Sequence, residues 1–167
     1  MLNFLFRGLT AEPARGAALF DAVTGEARRP CWYVEGAVPD TLDGRFAVLA
    51  TIAALLLVRL EREGDAGDQA SVALTERFIE VMESEHRELG VGDPTLGKTV
   101  RKLVGMLARR TGLWRNANGE WIEVTRDSLY KSEIDEAPLQ HSAAALRDLA
   151  RRFDATPLAA LERGEIR

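Results

Sequence analysis

The sequence predicts an all-α fold: a single-domain helical bundle of about six helices around one fully apolar central helix at about residues 41–63. Three observations support this prediction. Apolar residues recur at helical spacing along most of the chain, helix-start and helix-stop residues flank these segments, and alternating strand patterns are essentially missing. The 167 residues are 46% hydrophobic, which is enough for one domain with its own core.

The central helix is the strongest feature of the sequence. The residues from Phe46 to Val58 leave no polar face over more than three helical turns. A helix that is apolar all round is buried all round, whereas a helix that crosses a bilayer needs about 20 apolar residues. Because Arg45 and Arg59 flank this shorter run, we expect a buried core helix and no membrane span.

The start of the central helix carries residues that favour a helix N-terminus. We expect the helix to begin at Asp40 or Thr41 and to end near Gly64. Asp40 can cap free N–H groups, Asp43 suits the positive end of the dipole, and Arg45 can pair with either carboxylate. No nucleophile, histidine or metal ligand nearby completes a catalytic set, so we interpret these residues as structural.

The other helices are placed by their caps and their apolar sides. One is expected from Pro13 to about Arg28, after which Pro30 forces an extended connection. Two more are expected at about Asp68–Leu89 and, with Asp93 as N-cap, at Asp93–Gly112. Their apolar sides are Val72, Phe78, Ile79, Met82 and Leu89, and Leu96, Val100, Leu103, Val104 and Leu107. The last helices are expected around Trp121–Leu129 and Leu139–Phe153, with a short turn after Pro157.

Composition restricts the function classes. The net charge of −4 gives no whole-molecule attraction to nucleic acid or anionic lipid. Cys31, the single cysteine, favours a reducing compartment, and it forms no metal-ligand spacing with His86 and His141. We expect no metal and no cofactor. Residues 1–12 form an apolar arm without the pattern of a secretion signal, so a cytoplasmic location is expected, with attachment to the inner face of the membrane left open.

Two sequence blocks resemble a known family. Val38-Pro39-Asp40-Thr41-Leu42-Asp43-Gly44-Arg45-Phe46 precedes the central helix, and Arg87-Glu88-Leu89-Gly90-Val91-Gly92-Asp93 precedes a basic helix. Their order and spacing are similar to those of the ubiquinol–cytochrome c chaperone family, over roughly residues 17–110 and more loosely beyond. We assign Arg87, Glu88 and Asp93 of the second block, like the residues of the first, to structural roles.

The resemblance implies a non-catalytic assembly chaperone. Its expected partners are newly made cytochrome b or other subunits of the cytochrome bc1 complex, met near the ribosome or the membrane surface. A small partner subunit is a further expected contact, and the oligomeric state is left open. A helical scaffold subunit without a client remains an alternative.

A phosphate-binding motif offers a different class of function. Residues 92–99 match G-x-x-x-x-G-K-[ST], in which backbone N–H groups hold phosphates and the lysine, here Lys98, reaches the terminal phosphate. The motif requires a preceding strand, yet the residues before Gly92 form a charged helical segment. We therefore disfavour a nucleotide-binding enzyme.

The helix expected to begin within this motif, at Asp93, has a basic face. Between Pro94 and Arg115 there are basic residues and no acidic ones. At about 100° per residue, most of the basic residues lie opposite the apolar side. This face could contact anionic lipid, ribosomal RNA or an acidic partner, or it could face solvent and be neutralised by neighbouring glutamates. No specific nucleic acid is indicated. The candidate partner-binding residues are Lys98, Arg101, Lys102, Arg109, Arg110 and Trp114.

Overall fold

The computed structural model describes residues 16–88 and 93–166. This part of the chain is helical and contains no strand, which confirms the predicted all-α class. The predicted arm at 1–12, the predicted helix start at Pro13, and Gly90 lie outside it. The helices are α1 (Ala17–Ala27), α2 (Leu42–Leu60), α3 (Gly64–Glu88), α4 (Asp93–Arg115), α5 (Trp121–Leu129), α6 (Glu136–Ala155) and α7 (Leu158–Glu162).

Helix α2 lies at the centre of the bundle. It contacts α1, α3, α4, α5 and α6, so neighbours cover it from every side. Val48, Ile52 and Leu56 have almost no exposed surface, and Phe46 and Val58 are partly buried. Full burial of each such side chain contributes about 1.5–3 kcal/mol to stability. The observed burial confirms that the apolar run forms a core helix. None of the helices in the described part of the chain has the length and hydrophobicity that a bilayer span requires.

The cap at the start of α2 differs from one expectation. Thr41, and not Asp40, is the N-cap: its backbone is extended and its hydroxyl accepts from the Gly44 N–H at 3.2 Å. Asp40 instead accepts a hydrogen bond from Arg45 Nε at 2.6 Å. A Cβ at Gly44 would lie 1.9 Å from the Pro39 carbonyl oxygen, so only glycine allows the chain to turn this closely into the helix.

Two connections also differ from the sequence prediction. Pro30 opens a 3₁₀ turn, Pro30–Trp32, after an extended Arg29, because proline restricts the residue before it and suits the first position of a turn. The central helix ends at Leu60, four residues before the predicted Gly64, and a 3₁₀ turn at Glu61–Glu63 leads directly into α3. Gly64, with a φ of 59°, therefore begins the next helix.

The buried faces of α3 and α4 are largely those predicted. Phe78, Met82, Leu103 and Leu107 are buried. Val72 and Val104 were predicted to be buried but are 52% and 37% exposed. At about 100° per residue, Val72 lies on the side of α3 opposite Leu74, and Val104 lies at the margin of the α4 contact.

Helix α4 is longer than predicted. It continues past Gly112 to Arg115, because Gly112 keeps a helical conformation and the extra turn buries Trp114. After the helix, the chain turns toward α5 at two residues with a left-handed backbone, Asn118 and Gly119, whose φ values are 44° and 92°.

Helix α6 is tied to the first two helices through partly buried charges. Arg152 donates to Glu26 at the end of α1 at 2.7 Å, and Arg59 of α2 donates to the Phe153 carbonyl at 3.2 Å. Burial raises the pKa of Glu26, but hydrogen bonds from Arg152 and Arg29 outweigh it and hold the pKa below its ordinary value. Folding therefore favours the ionised Glu26.

Removal of the Glu26 charge is expected to cost stability in a pH-dependent way. Because the folded-state pKa is lowered, the stabilisation is present above the unfolded pKa of about 4.3. It is lost as the pH falls through the lower folded value. Glu26→Gln should lower the free energy of unfolding at pH 7 by about 1.5–3 kcal/mol, measured by urea denaturation, and the difference should shrink below pH 4 or so. The exposed Asp148, which pairs with Arg151, provides the control, since Asp148→Asn should change little. An equal loss at pH 7 and pH 3 or so would contradict the assignment.

Candidate interaction surface

Helix α4 packs one face on α2 and turns the other to solvent. Leu103, Leu107 and Trp114 point into the core, and Arg115 pairs with Glu61 just beyond α2. These contacts fix the rotation of α4 about its own axis. Its outer face is therefore set by packing and is not free to turn inward.

The outer face of α4 carries cations that form no ion pair with the described residues. Lys98, Arg101, Lys102 and Arg109 are exposed, and none of them forms an ion pair with a described acidic side chain. Most other described basic residues do form one, including the exposed pairs Arg62–Asp154 and Lys131–Asp43. The alternative of a face neutralised by neighbouring glutamates is thus not what the described residues show. We call these four residues the cationic face.

Two of the candidate partner-binding residues, Trp114 and Arg110, do not belong to the cationic face. Trp114 is only 5% exposed and its ring is centred 5.2 Å from that of Trp121, so it is a core residue. At about 100° per residue it shares the side of Leu107, which explains its burial. Arg110 is partly buried: it donates to the Ser128 carbonyl at 3.1 Å and lies over the Phe46 ring at 5.9 Å. Neither side chain is presented to a partner in this structure.

Charges of both signs lie near the cationic face: the further cation Arg110 at one end and the carboxylate of Asp43 at the other. Burial lowers the pKa of Arg110, and repulsion from Arg109 lowers it further. At the other end, a hydrogen bond from Lys131 holds the pKa of Asp43 below its ordinary value, and the Lys102 charge adds to this. The face therefore projects a positive potential from an acidic protein.

The residues assigned to helix starts are distributed over two places. Asp43 accepts from Lys131 at 2.6 Å, which links the first turn of α2 to the segment after α5. Glu88 is exposed at the end of α3. The side chains of Arg87 and Asp93 lie outside the described residues, so the role predicted for them stays a prediction.

The phosphate-binding motif does not adopt its required geometry in the described residues. Asp93–Thr99 form the first turns of α4, and the last described residue before the motif, Glu88, ends the helix α3. Lys98 is consequently an exposed helical residue. A helix at this position offers no loop of backbone N–H groups for phosphates.

Residues 16–88 and 93–166 contain few groups suited to metal binding, nucleophilic chemistry or a small ligand. No group of three His, Cys, Asp or Glu side chains in this part could hold a metal ion. Burial raises the pKa of the Cys31 thiol, which disfavours the reactive thiolate. A shallow depression of about 250 Å³ at Ser71, Val72 and Thr75 is open and small. Ligand pockets are typically about 300–1,000 Å³, so this one is a poor candidate.

Comparisons with known proteins decide the family. The sequence profile described as "Ubiquinol-cytochrome C chaperone" matches residues 35–167. The chain belongs to the ubiquinol–cytochrome c chaperone family. Among solved structures, this family member is similar to the crystal structure of the Cbp3 homolog from Brucella abortus. The two share 24% sequence identity and a TM-score of 0.76, over 99% of this chain and 95% of that one, which shows a common fold. A comparison with curated proteins found no significant match.

The family match extends beyond the predicted resemblance at its C-terminal side. It includes α5, α6 and α7, where the sequence blocks gave only a looser resemblance, and it begins at residue 35. Both sequence blocks and the whole of α4 therefore lie inside the family region. The cationic face is part of this chaperone domain.

Sequence reasoning missed the exposed apolar residues before and at the start of α2. Val34 is 71% exposed and Leu42 is 69% exposed. The signal for Leu42 was available, since it directly follows the N-cap Thr41 and precedes the continuous apolar run. The exposure of Val34 depends on the 3₁₀ turn at Pro30–Trp32, where the sequence predicted an extended connection instead.

Neighbouring arginines of α4 are expected to behave differently on substitution. Arg110→Ala should lower the free energy of unfolding by about 1–3 kcal/mol, because the Ser128 carbonyl loses its charged donor and Phe46 its cover. Arg109→Ala should change it by less than about 0.5 kcal/mol. Urea denaturation of both variants measures the difference. Equal effects would show that Arg110 belongs to the surface after all.

Proposed function

We propose that this protein is a non-catalytic assembly chaperone for the cytochrome bc1 complex that binds newly made cytochrome b or another bc1 subunit. The proposal places it in the cytoplasm, with peripheral contact to the inner face of the membrane. Membership of the ubiquinol–cytochrome c chaperone family supports the role. The observation that carries the docking surface is a set of four cations on one helix, none of which is paired with a described acidic side chain, in a protein with a net charge of −4.

The cationic face suits reversible binding. Charges at the rim of an interface speed the encounter and select the partner, but they add little to the lifetime of the complex. A chaperone must bind an unassembled subunit and then release it. Exposed cations on a rigid helix provide this kind of contact because they are fixed by the packing of α4 on α2.

The described surface offers little to a purely hydrophobic client. The large apolar side chains that it exposes are Val34, Leu42, Val72 and Val104. They come from the loop before α2 and from three helices, whereas the cations lie on one helix. We therefore assign first contact with the client to the cationic face.

Complementation of a deletion strain tests both parts of the proposal. Loss of the gene should reduce the amount of assembled bc1 complex, measured by its haem absorbance and by native gels. A variant with Lys98, Lys102 and Arg109 all changed to Glu should fail to restore it. Each exposed ion pair contributes about 0.2–1 kcal/mol, so three reversals should weaken client association by about 0.6–3 kcal/mol, which is roughly three-fold to 150-fold.

A second triple variant provides the matched control. Arg28, Arg151 and Arg163 are exposed and lie away from α4, so changing all three to Glu alters the net charge equally and should restore the complex. Normal bc1 levels in the deletion strain would remove the proposed function and favour a scaffold without a client. Full activity of the α4 variant in a strain that needs the protein would remove the surface alone.

A further inference from the structure

Gly105 forms a notch in the middle of the cationic face. On a helix surface, a residue is surrounded by the residues three and four positions away. For Gly105 these are Arg101, Lys102, Ala108 and Arg109, so three cations and one small residue surround a position without a side chain. At about 100° per residue, Gly105 also lies within about 20° of Lys98.

Nothing inside the protein requires glycine at this position. Gly105 lies within α4 and its φ is not positive, so the backbone does not need it. A Cβ built there would meet nothing within 4 Å, so internal packing does not need it either. Glycine in a helix interior costs about 0.5–1 kcal/mol relative to alanine. The notch is therefore a surface feature that opens only to the outside.

We infer that the cationic face docks an acidic α-helix of a protein partner, whose backbone approaches α4 closely at Gly105. The inference rests on the proposed function for the surface and names the partner chemistry. Helices pack with axes about 8–10 Å apart, at the lower end where side chains at the contact are small. Ala108 beside the notch supplies a small apolar contact, while the surrounding cations meet carboxylates.

The length of the face also fits a helix. Lys98 and Arg109 are eleven residues apart, which is about 17 Å along the axis at 1.5 Å per residue. Acidic residues placed three or four positions apart on a partner helix would span this distance over three turns. Charge complementarity then fixes the position of the partner along α4.

Phosphate-rich partners fit the notch less well. Phosphate sites use free backbone N–H groups at helix starts or in turns, and the N–H groups around Gly105 are bonded within the helix. Membrane binding by a helix needs large apolar residues beside its cations, whereas the apolar residue next to Gly105 on this face is the small Ala108. Neither polymer gains from the missing side chain, because flexible lysines and arginines reach a phosphate with or without it.

A peptide-binding experiment separates these partners. The probe is a fluorescent 22-residue helical peptide in which turns of Glu alternate with turns of Ala. Its binding is compared with the binding of a single-stranded RNA and of phosphatidylglycerol vesicles. Gly105→Leu fills the notch and keeps every cation. Gly97→Leu is the control, because Gly97 is also exposed with open space around it but lies about 100° from Lys98. Circular dichroism checks that both variants keep the fold.

We expect Gly105→Leu to weaken peptide binding about ten-fold and Gly97→Leu to leave it unchanged, with RNA and vesicle binding weak in all three proteins. RNA or vesicles that bind more tightly than the peptide, or a peptide affinity indifferent to Gly105→Leu, would overturn the inference. Such a result would leave the chaperone role intact, since that role is judged by bc1 levels in the deletion strain. Conversely, a notch-dependent peptide affinity alongside normal bc1 levels in the deletion strain would remove only the chaperone role.

Discussion

The burial of α2 on all sides determines the rest of the structure. A run of apolar side chains from Phe46 to Val58 has no polar edge that could face water, so other helices must surround it completely. Every one of α1, α3, α4, α5 and α6 contacts it. Each of these helices is amphipathic because it has one face for α2 and one for solvent. The connections adapt to this requirement, as the 3₁₀ turn at Pro30–Trp32 shows.

The constraint on α2 also creates the cationic face. Helix α4 contributes Leu103, Leu107 and Trp114 to the cover of the core, which leaves its polar side facing outward. In α3 and α6, outward charges of both signs are mixed, and several of them form ion pairs, such as Arg77–Glu80 and Arg151–Asp148. In α4, acidic residues are missing after Asp93, so the outward side is uniformly positive. A structural demand on one helix thus presents an unbalanced charge on another.

Much of this could be predicted from the sequence because it depends on spacing alone. Helix class, the buried run of α2 and the basic side of α4 follow from periodicity, and the family followed from two blocks of residues. Long-range contacts could not be predicted. The roles of Arg110, held by the Ser128 carbonyl, and of Trp114, packed on Trp121, depend on where α5 lies. Thr41, and not Asp40, caps α2 because the chain turns closely between Pro39 and Gly44. The periodicity of the sequence does not encode such a local approach of backbone atoms.

The central claim is that α4, held against α2, is the face that meets the client. Site-specific photo-crosslinking in cells that assemble the bc1 complex tests it most directly, with the reactive residue at Ala108 on the exposed side of α4 or at Glu162 on the exposed side of α7. Crosslinks to cytochrome b or another bc1 subunit from position 108, and none from 162, are the expected result. Crosslinks from 162 with none from 108 would contradict the claim.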